Sequence, residues 1–389
     1  MYQGQVVFAQ LMQLLPRHQF NACVQRYGGQ RRLRRLSCRE QFLCMAFAQL
    51  TFRQSLRDVE TCLRALGPRL YHAGIRQPVP RSTLADANAR RDWRIYRDLA
   101  HVLIAQARRL YAHEPFAAAL DRTVYALDAT VIELCLSLFP WAHAQRDKAG
   151  IKVHTLLDLR GNIPCFMQVS SARQRDVAML DHVPVEPGSI YVMDRDYNDF
   201  ARLNHLHQAG ALFVVRARRD LAVKRQRSQP VDRSTGLRSD QIVRLTDRRT
   251  ARKYPQPLRR VSWRNDQTGR RFVFLTNDRT LAAATIVEVY RQRWQVELFF
   301  KWIKQHLRIE RFMGHTSNAI HTQLWIAIAS YVLLAIAKKQ VACPYSLYEI
   351  QQIVSITLFE KVSLAQALTV PPPAADGLDA HNQLPLFNF

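Results

Sequence analysis

The chain has 389 residues, with 56 Lys and Arg against 31 Asp and Glu, a net charge of +25. Apolar residues at 48% and charged residues at 22% exclude a wholly disordered chain, and the length suits two or three domains with a sizeable core. So large a cationic excess repels itself unless something anionic neutralises it, and nucleic acid is the default partner because each neutralised phosphate releases counterions.

Residues 1–120 hold 19 Arg and 7 acids, a net of +12, and read as short helices. An amphipathic helix over Gln5–Leu15 ends at Pro16. Ser37 and Glu40 form a capping box for a helix to about Leu50. Gln54–Leu66 has helical apolar spacing and stops at Gly67-Pro68. Pro78 and Pro80 make a hinge, after which Ser82 or Thr83 caps a helix carrying Arg90, Arg91 and Arg94. Trp93–Tyr111 follows. Arginines clustered at the starts of short helices predict an all-helical N-terminal DNA-binding domain over 1–118.

From residue 123 the period changes. Val124–Leu134, Ile151–Leu159 and Ile163–Val169 read as strands, the last two as a hairpin. Gly188–Met193 and Ala211–Val215 are apolar strands flanking a helix over Asp199–Gln208. This is an α/β body over 119–340. Residues 216–271 interrupt it with 18 basic residues and 5 acids, a net of +13. They read as a basic β-rich insertion, 216–275, with strands at Gln241–Leu245, Leu258–Trp263 and Arg271–Thr276. Outside these two basic segments the net charge is zero. Helices are expected over Leu281–His306, Ala319–Gln340 and Leu347–Thr357. A C-terminal helix and an aperiodic tail from Pro371 make up 341–389.

The seven cysteines (Cys23, Cys38, Cys44, Cys62, Cys135, Cys165, Cys343) include no Cys-x-x-Cys pair, which suggests reduced core residues in the cytoplasm. No signal peptide is evident. The longest apolar stretch, Leu324–Ala337, is short of the roughly 20 residues of a membrane span. A buried helix and no membrane association are therefore expected.

Three acids stand out in the neutral body. Asp128 lies within an apolar strand and needs a partner, since an unpaired buried carboxylate is costly. Asp194 ends another apolar strand, a common position for functional groups in α/β sheets. Glu297 lies among Trp294, Val296, Leu298, Phe299 and Phe300. Three carboxylates in a basic chain suggest a site for two Mg²⁺ ions, with Mn²⁺ as a substitute, in phosphoryl transfer. Around Glu297 the sequence reads Tyr290-x(2)-Arg293-x(3)-Glu297-x(6)-Lys304. On one continuous helix these steps return all four side chains to one face. The same spacing also fits an ordinary amphipathic helix with salt bridges.

That spacing matches in full the Y-x(2)-R-x(3)-E-x(6)-K signature of the insertion-sequence-four-like family of DDE transposases. Leu127-Asp128-Ala129-Thr130 resembles the family's first catalytic strand. Gly150-Ile-Lys-Val-His154 with Leu157-Asp-Leu-Arg-Gly161 resembles its next hairpin. Met193-Asp194-Arg195-Asp196-Tyr197 resembles its second catalytic segment, and Arg308-Ile-Glu-Arg-Phe312 the run after the Glu helix. One departure is Asp196 where the family usually has Gly. Asp tolerates left-handed backbone, so it can replace Gly there, and Asp196 is the reserve second ligand.

The resemblance implies an RNase H-like core in which Asp128, Asp194 and Glu297 hold the two metal ions. It implies cutting of transposon ends and strand transfer through hairpin ends. Tyr290, Arg293 and Lys304 would contact phosphates, and Trp294 a flipped base. Trp263, flanked by cations, is a second candidate for base stacking or an ordinary packed aromatic. The expected partners are double-stranded DNA (transposon ends with terminal inverted repeats, and target) and a second copy in a synaptic homodimer. The expected location is the bacterial cytoplasm, associated with the nucleoid. A DNA-binding regulator without catalysis, or a nuclease of the same fold, are the competing readings; neither Gly-x-x-x-x-Gly-Lys nor Gly-x-Ser-x-Gly occurs.

Overall fold

A computed structural model describes residues 4–31, 36–114, 120–134, 143–145, 148–306 and 312–369. Cys135, most of the Arg308–Phe312 run and the tail from Pro371 lie outside the described residues. Ahead of the first strand come α1 (Val7–Gln13), α2 (Arg17–Arg26), α3 (Cys38–Leu50), α4 (Leu56–Leu66), α5 (Arg81–Arg90) and α6 (Arg94–Tyr111). The capping box is formed. Ser37 Oγ accepts from the Glu40 amide, and Glu40 Oε2 accepts from the Ser37 amide, each at 3.0 Å. The α4 helix ends at Gly67, whose φ of +51° suits glycine, and Pro68 cannot continue it. The α5 helix differs from expectation. Pro80 is its N-cap, with no side-chain cap bond. The extended backbone at Pro80 starts the helix two or three residues early and leaves Ser82 and Thr83 inside the first turn.

Ten strands follow among the described residues: β1 (Val124–Leu134), β2 (His143–Gln145), β3 (Lys148–Asp158), β4 (Ile163–Ser171), β5 (Ile190–Met193), β6 (Leu212–Arg216), β7 (Val223–Gln229), β8 (Leu237–Leu245), β9 (Leu258–Arg264) and β10 (Arg271–Thr276). Between and after them lie α7 (Phe200–Gln208), α8 (Arg248–Lys253), α9 (Ala283–Arg291), α10 (Trp294–His306), α11 (Ser317–Gln340), α12 (Leu347–Thr357) and α13 (Leu364–Ala367). All ten strands join one sheet, in the order β2-β3-β1-β5-β6-β10-β9-β8-β7, with β4 paired to β3. Strands β1, β3 and β4 are antiparallel, while β5 and β6 run parallel to β1. The run β4-β3-β1-β5-β6 fits an RNase H-like core.

The basic segment is not a separate sheet. Strand β10 returns antiparallel beside β6, and β9, β8 and β7 extend the same sheet outward. Sequence reading missed β7. It is the edge strand, and Lys224 through Ser228 are exposed on both of its faces. No apolar alternation marks it, and charged side chains are what an exposed edge favours.

The sheet separates two apolar layers. Ala126, Val192 and Val214 face the layer built from α1–α6 and α9–α13, while Tyr125, Leu127, Tyr191, Met193, Phe213 and Val215 face α7 and α8. The first layer is one continuous core from Val6 to Leu368. Its centre is α11, which contacts α3, α5, α6 and α12. The α11 helix has the length and hydropathy of a membrane span, but 94% of its most apolar window is buried inside the protein. At the β3–β4 turn Gly161 has φ +75°, and any side chain there would collide with the Tyr111 ring of α6.

Candidate active site

Side chains alternate across a strand. Asp128, two positions after Ala126, and Asp194, two after Val192, therefore point into the first layer. Leu127 and Met193 are partners on the adjacent parallel strands β1 and β5, so the two aspartates follow side by side where β5 ends. The α10 helix packs on β1 from that layer and brings Glu297 in its first turn. The three acids come together from three elements, each partly exposed: 22% for Asp128, 31% for Asp194 and 33% for Glu297.

Arg293 lies between two of them. It donates from Nη1 to Asp128 Oδ2 at 2.9 Å and from Nη2 to Glu297 Oε1 at 2.5 Å. Tyr290 donates its hydroxyl to Asp194 Oδ1 at 3.2 Å, and Arg216 Nη1 stands 3.9 Å from the same oxygen. Burial pushes the Asp128 carboxyl up to about 6; Arg293 and the Ala129 amide oppose this, and Glu297 and Asp194 add to it. Burial likewise pushes the Tyr290 phenol up to about 12. For Arg293 burial alone would lower the pKa, but Tyr290, Asp128 and Glu297 together raise it.

The signature does not occupy one helix. The α9 helix ends at Arg291 and α10 starts at Trp294. Three-residue hydrogen bonds bridge the break: Arg293 N to Tyr290 O at 3.1 Å, Gln295 N to Gln292 O at 3.0 Å and Val296 N to Arg293 O at 3.0 Å. This corrects the expectation of one helix over Leu281–His306. Tertiary contacts decide the point, since Tyr290 ends against Phe274 and Asp194 while Arg293 turns to β1. Lys304 is half-buried, two turns beyond Glu297 on α10.

Asp196 is exposed on a short 3-10 turn, and its backbone is not left-handed. The tolerance expected of an Asp in place of Gly is therefore not used, and Asp194 is the acid that joins the other two. Arg216 was missed. Its signal was a cation directly after the apolar strand Ala211–Val215, the neighbour of the strand that ends at Asp194.

The other candidates separate by environment. Trp294 is 57% exposed at the start of α10. Trp263 is half-buried against Phe272, and its indole N–H donates to Thr235 O at 3.1 Å. Arg90 is exposed with only a 4.0 Å approach to Asp86. Arg91 turns inward to Leu36 O and Gln41 Oε1. Arg94 pairs with Asp92 at 2.6 Å and lies over the Tyr27 ring. In the basic segment Lys224, Arg225, Arg227, Arg238 and Arg244 are exposed, but Arg259 is buried on Asp240.

Among the described residues, no three His, Cys, Asp or Glu side chains are arranged to hold a metal ion as they stand. The donor chemistry fits one nonetheless. Three converging carboxylates offer only oxygen, the preference of hard divalent cations, and Arg293 already occupies the cation position between two of them.

The Transposase DDE domain family matches residues 119–333, and a domain family of unknown function matches residues 3–76. An inferred transposase of Sinorhizobium fredii, y4zB, is 33% identical over 305 residues, covering 76% of this chain and 83% of the relative. The transposase assigned to insertion sequence element IS5377 of Geobacillus stearothermophilus is 28% identical over 212 residues, 54% of this chain and 55% of the relative. The transposase assigned to element IS4SA of Synechocystis is 22% identical over 288 residues, 72% and 77%. Among solved structures, a piggyBac transposase synaptic complex with hairpin DNA matches at TM-score 0.46 and 13% identity, covering 96% of this chain and 83% of that one. With a DDE domain across most of its sheet and relatives assigned to insertion sequences, the chain belongs to the DDE transposases of the insertion-sequence-four-like kind, enzymes that cut and join DNA.

Proposed function

We propose that this enzyme binds the terminal inverted repeats of its own insertion sequence and moves it by cut-and-paste transposition, through hairpin ends, with Asp128, Asp194 and Glu297 as ligands of two Mg²⁺ ions. The observation that carries the reading is the convergence of Asp128, Asp194 and Glu297 around Arg293 and Tyr290. When bound, the divalent ions activate an attacking oxygen and stabilise the leaving one. Asp128 and Asp194 are fixed by the backbone of neighbouring strands, so their separation does not depend on loop position. Glu297 is carried by α10. Arg293, Tyr290 and Lys304 bind phosphates of the strand being cut, and Trp294 takes an unstacked base. Arg216 supports Asp194 from beside it.

Two cationic surfaces hold the duplex in this reading. One is the helical segment 1–118, where Arg90 is exposed and Arg94 half-exposed. The other is the β7–β8 edge of the sheet. A two-stranded ribbon of this kind fits a DNA groove. Two ends must be joined, so the working form is a homodimer on paired ends. The reading is supported by the chain's charge of +25 and places the protein in the bacterial cytoplasm with the nucleoid.

The test is cleavage of a duplex carrying the inverted repeats that flank the coding region. Wild-type protein with Mg²⁺ or Mn²⁺ should nick and then form hairpins. Glu297→Gln should bind the same duplex without cutting it. Cleavage undiminished in Glu297→Gln would overturn the assignment.

A further inference from the structure

The Arg293 guanidinium occupies the space between Asp128 and Glu297, bonded to one oxygen of each. Its side chain is only 13% exposed, so the contact is not a loose surface pair. One planar cation thereby neutralises two of the three carboxylates. A divalent ion entering the same space would meet a positive charge at hydrogen-bond range and carboxylate oxygens already in use. Among the described residues no three His, Cys, Asp or Glu side chains stand close enough together to hold a metal ion.

We propose that Arg293 is a cationic plug that competes with the divalent ion for Asp128 and Glu297, and that a DNA phosphate drawing the guanidinium outward makes the site competent for metal. The inference rests on the assignment of these acids to the DNA-cleaving site. A phosphate offers the same two-pronged acceptor geometry as a carboxylate, so Arg293 exchanges partners without losing its bonds. The move asks little of the backbone, because Arg293 sits in the break between α9 and α10 and outside either helix. Its Nε is buried with no hydrogen-bond partner, so the present seat leaves one donor unsatisfied. Tyr290 still bonds Asp194 from the end of α9, and the third acid keeps its place during the exchange. The coupling is reciprocal: whatever factor DNA adds to metal affinity, metal adds to DNA affinity. A protein built this way carries little metal until DNA is seated.

The test is Mn²⁺ binding by full-length protein, read from the paramagnetic resonance signal of free Mn²⁺, not from cleavage. Without DNA, Arg293→Gln should bind Mn²⁺ at least about tenfold more tightly than wild type, with Arg293→Lys in between. Adding duplex DNA should tighten wild-type binding by a comparable factor, after subtracting the ions taken up by Asp128→Asn with the same duplex. Affinities of Arg293→Gln and wild type within twofold of each other would overturn the plug. If Arg293→Gln does not fold, unchanged wild-type binding on adding duplex would overturn it equally. The double variant Arg293→Gln/Asp128→Asn separates the two levels. If it binds Mn²⁺ as tightly as Arg293→Gln, the assignment of the carboxylates fails, and the plug with it.

Discussion

Arg293 donates to Asp128 at 2.9 Å across 165 positions of sequence, and so ties the break between α9 and α10 to the middle of β1. Strand and helix are held in register by the same groups that form the site. Replacing Asp128 by Asn or Glu297 by Gln changes few atoms and keeps hydrogen-bonding capacity. Loss of an outer partner of a metal ligand typically costs about 10–100-fold, and loss of a ligand itself should cost more. Strand cleavage should therefore fall by about 100-fold or more in each variant, while affinity for the same duplex, measured without divalent ions, changes little. Cleavage within a few-fold of wild type, in a time course on labelled duplex, would contradict this role.

Much of that site was legible because acids in apolar runs are conspicuous. Asp128, Asp194 and Glu297 each broke a hydrophobic pattern that otherwise fixed the element. The spacing from Tyr290 to Lys304 pointed to the residues that meet, but it also read as one helix, since periodicity alone does not register a one-turn break. That break depends on Phe274, Asp194 and Asp128, all distant in sequence. Arg216 was hidden for a related reason: its meaning lies in the neighbouring strand. Strand β7 left no trace because an edge open on both faces has no apolar alternation.

A buried ion pair inside the basic segment tests how much that part of the sheet contributes to stability. Arg259 on β9 meets Asp240 on β8 through two bonds, 2.9 and 2.7 Å, and both side chains are 3% exposed. Arg259 also donates to Leu281 O at 2.6 Å, just before α9. Removing one partner strands a charge in the interior, which typically costs about 3–5 kcal/mol. Arg259→Met should lower the unfolding free energy read from urea denaturation by that amount, and Arg259→Met/Asp240→Leu should recover much of it. If Arg259→Met unfolds at the wild-type midpoint, the pair contributes nothing to stability.

His154 gives the stability of the fold a pH dependence. It is fully buried on β3, its Nε2 lies 2.8 Å from Ser170 Oγ, and its Nδ1 has no partner. Burial pushes its pKa down to about 4 from an ordinary 6.5, aided by Lys152 and opposed by Asp176. The unfolded chain thus takes up this proton at higher pH than the folded one. The stabilisation from a neutral His154 is complete above pH 6.5 and is lost as pH falls from 6.5 toward 4. His101, His207 and His321 are also lowered, so wild type alone does not isolate the effect. Denaturation midpoints of wild type should fall more steeply than those of His154→Gln across this interval. Parallel slopes would show that His154 does not drive it.

Trp263 and Trp294, both candidates for stacking on a base, should separate in experiment. Trp263 has its N–H committed to Thr235 O and its ring against Phe272, and Gly236 leaves no room for a side chain beside it. Trp294 shows 57% of its surface at the head of α10, one residue past Arg293. Truncating a packed aromatic leaves a cavity, so Trp263→Ala should destabilise the fold by about 3 kcal/mol or somewhat less, since the ring is only half-buried. Trp294→Ala should leave stability within about 0.5 kcal/mol of wild type. Its cost should fall on DNA, because a lost base stack is worth about 1–3 kcal/mol. Melting curves and duplex binding measured on both variants decide the matter. If Trp294→Ala melts early and binds DNA normally, its exposure serves the fold, and the base-stacking role passes away from the head of α10.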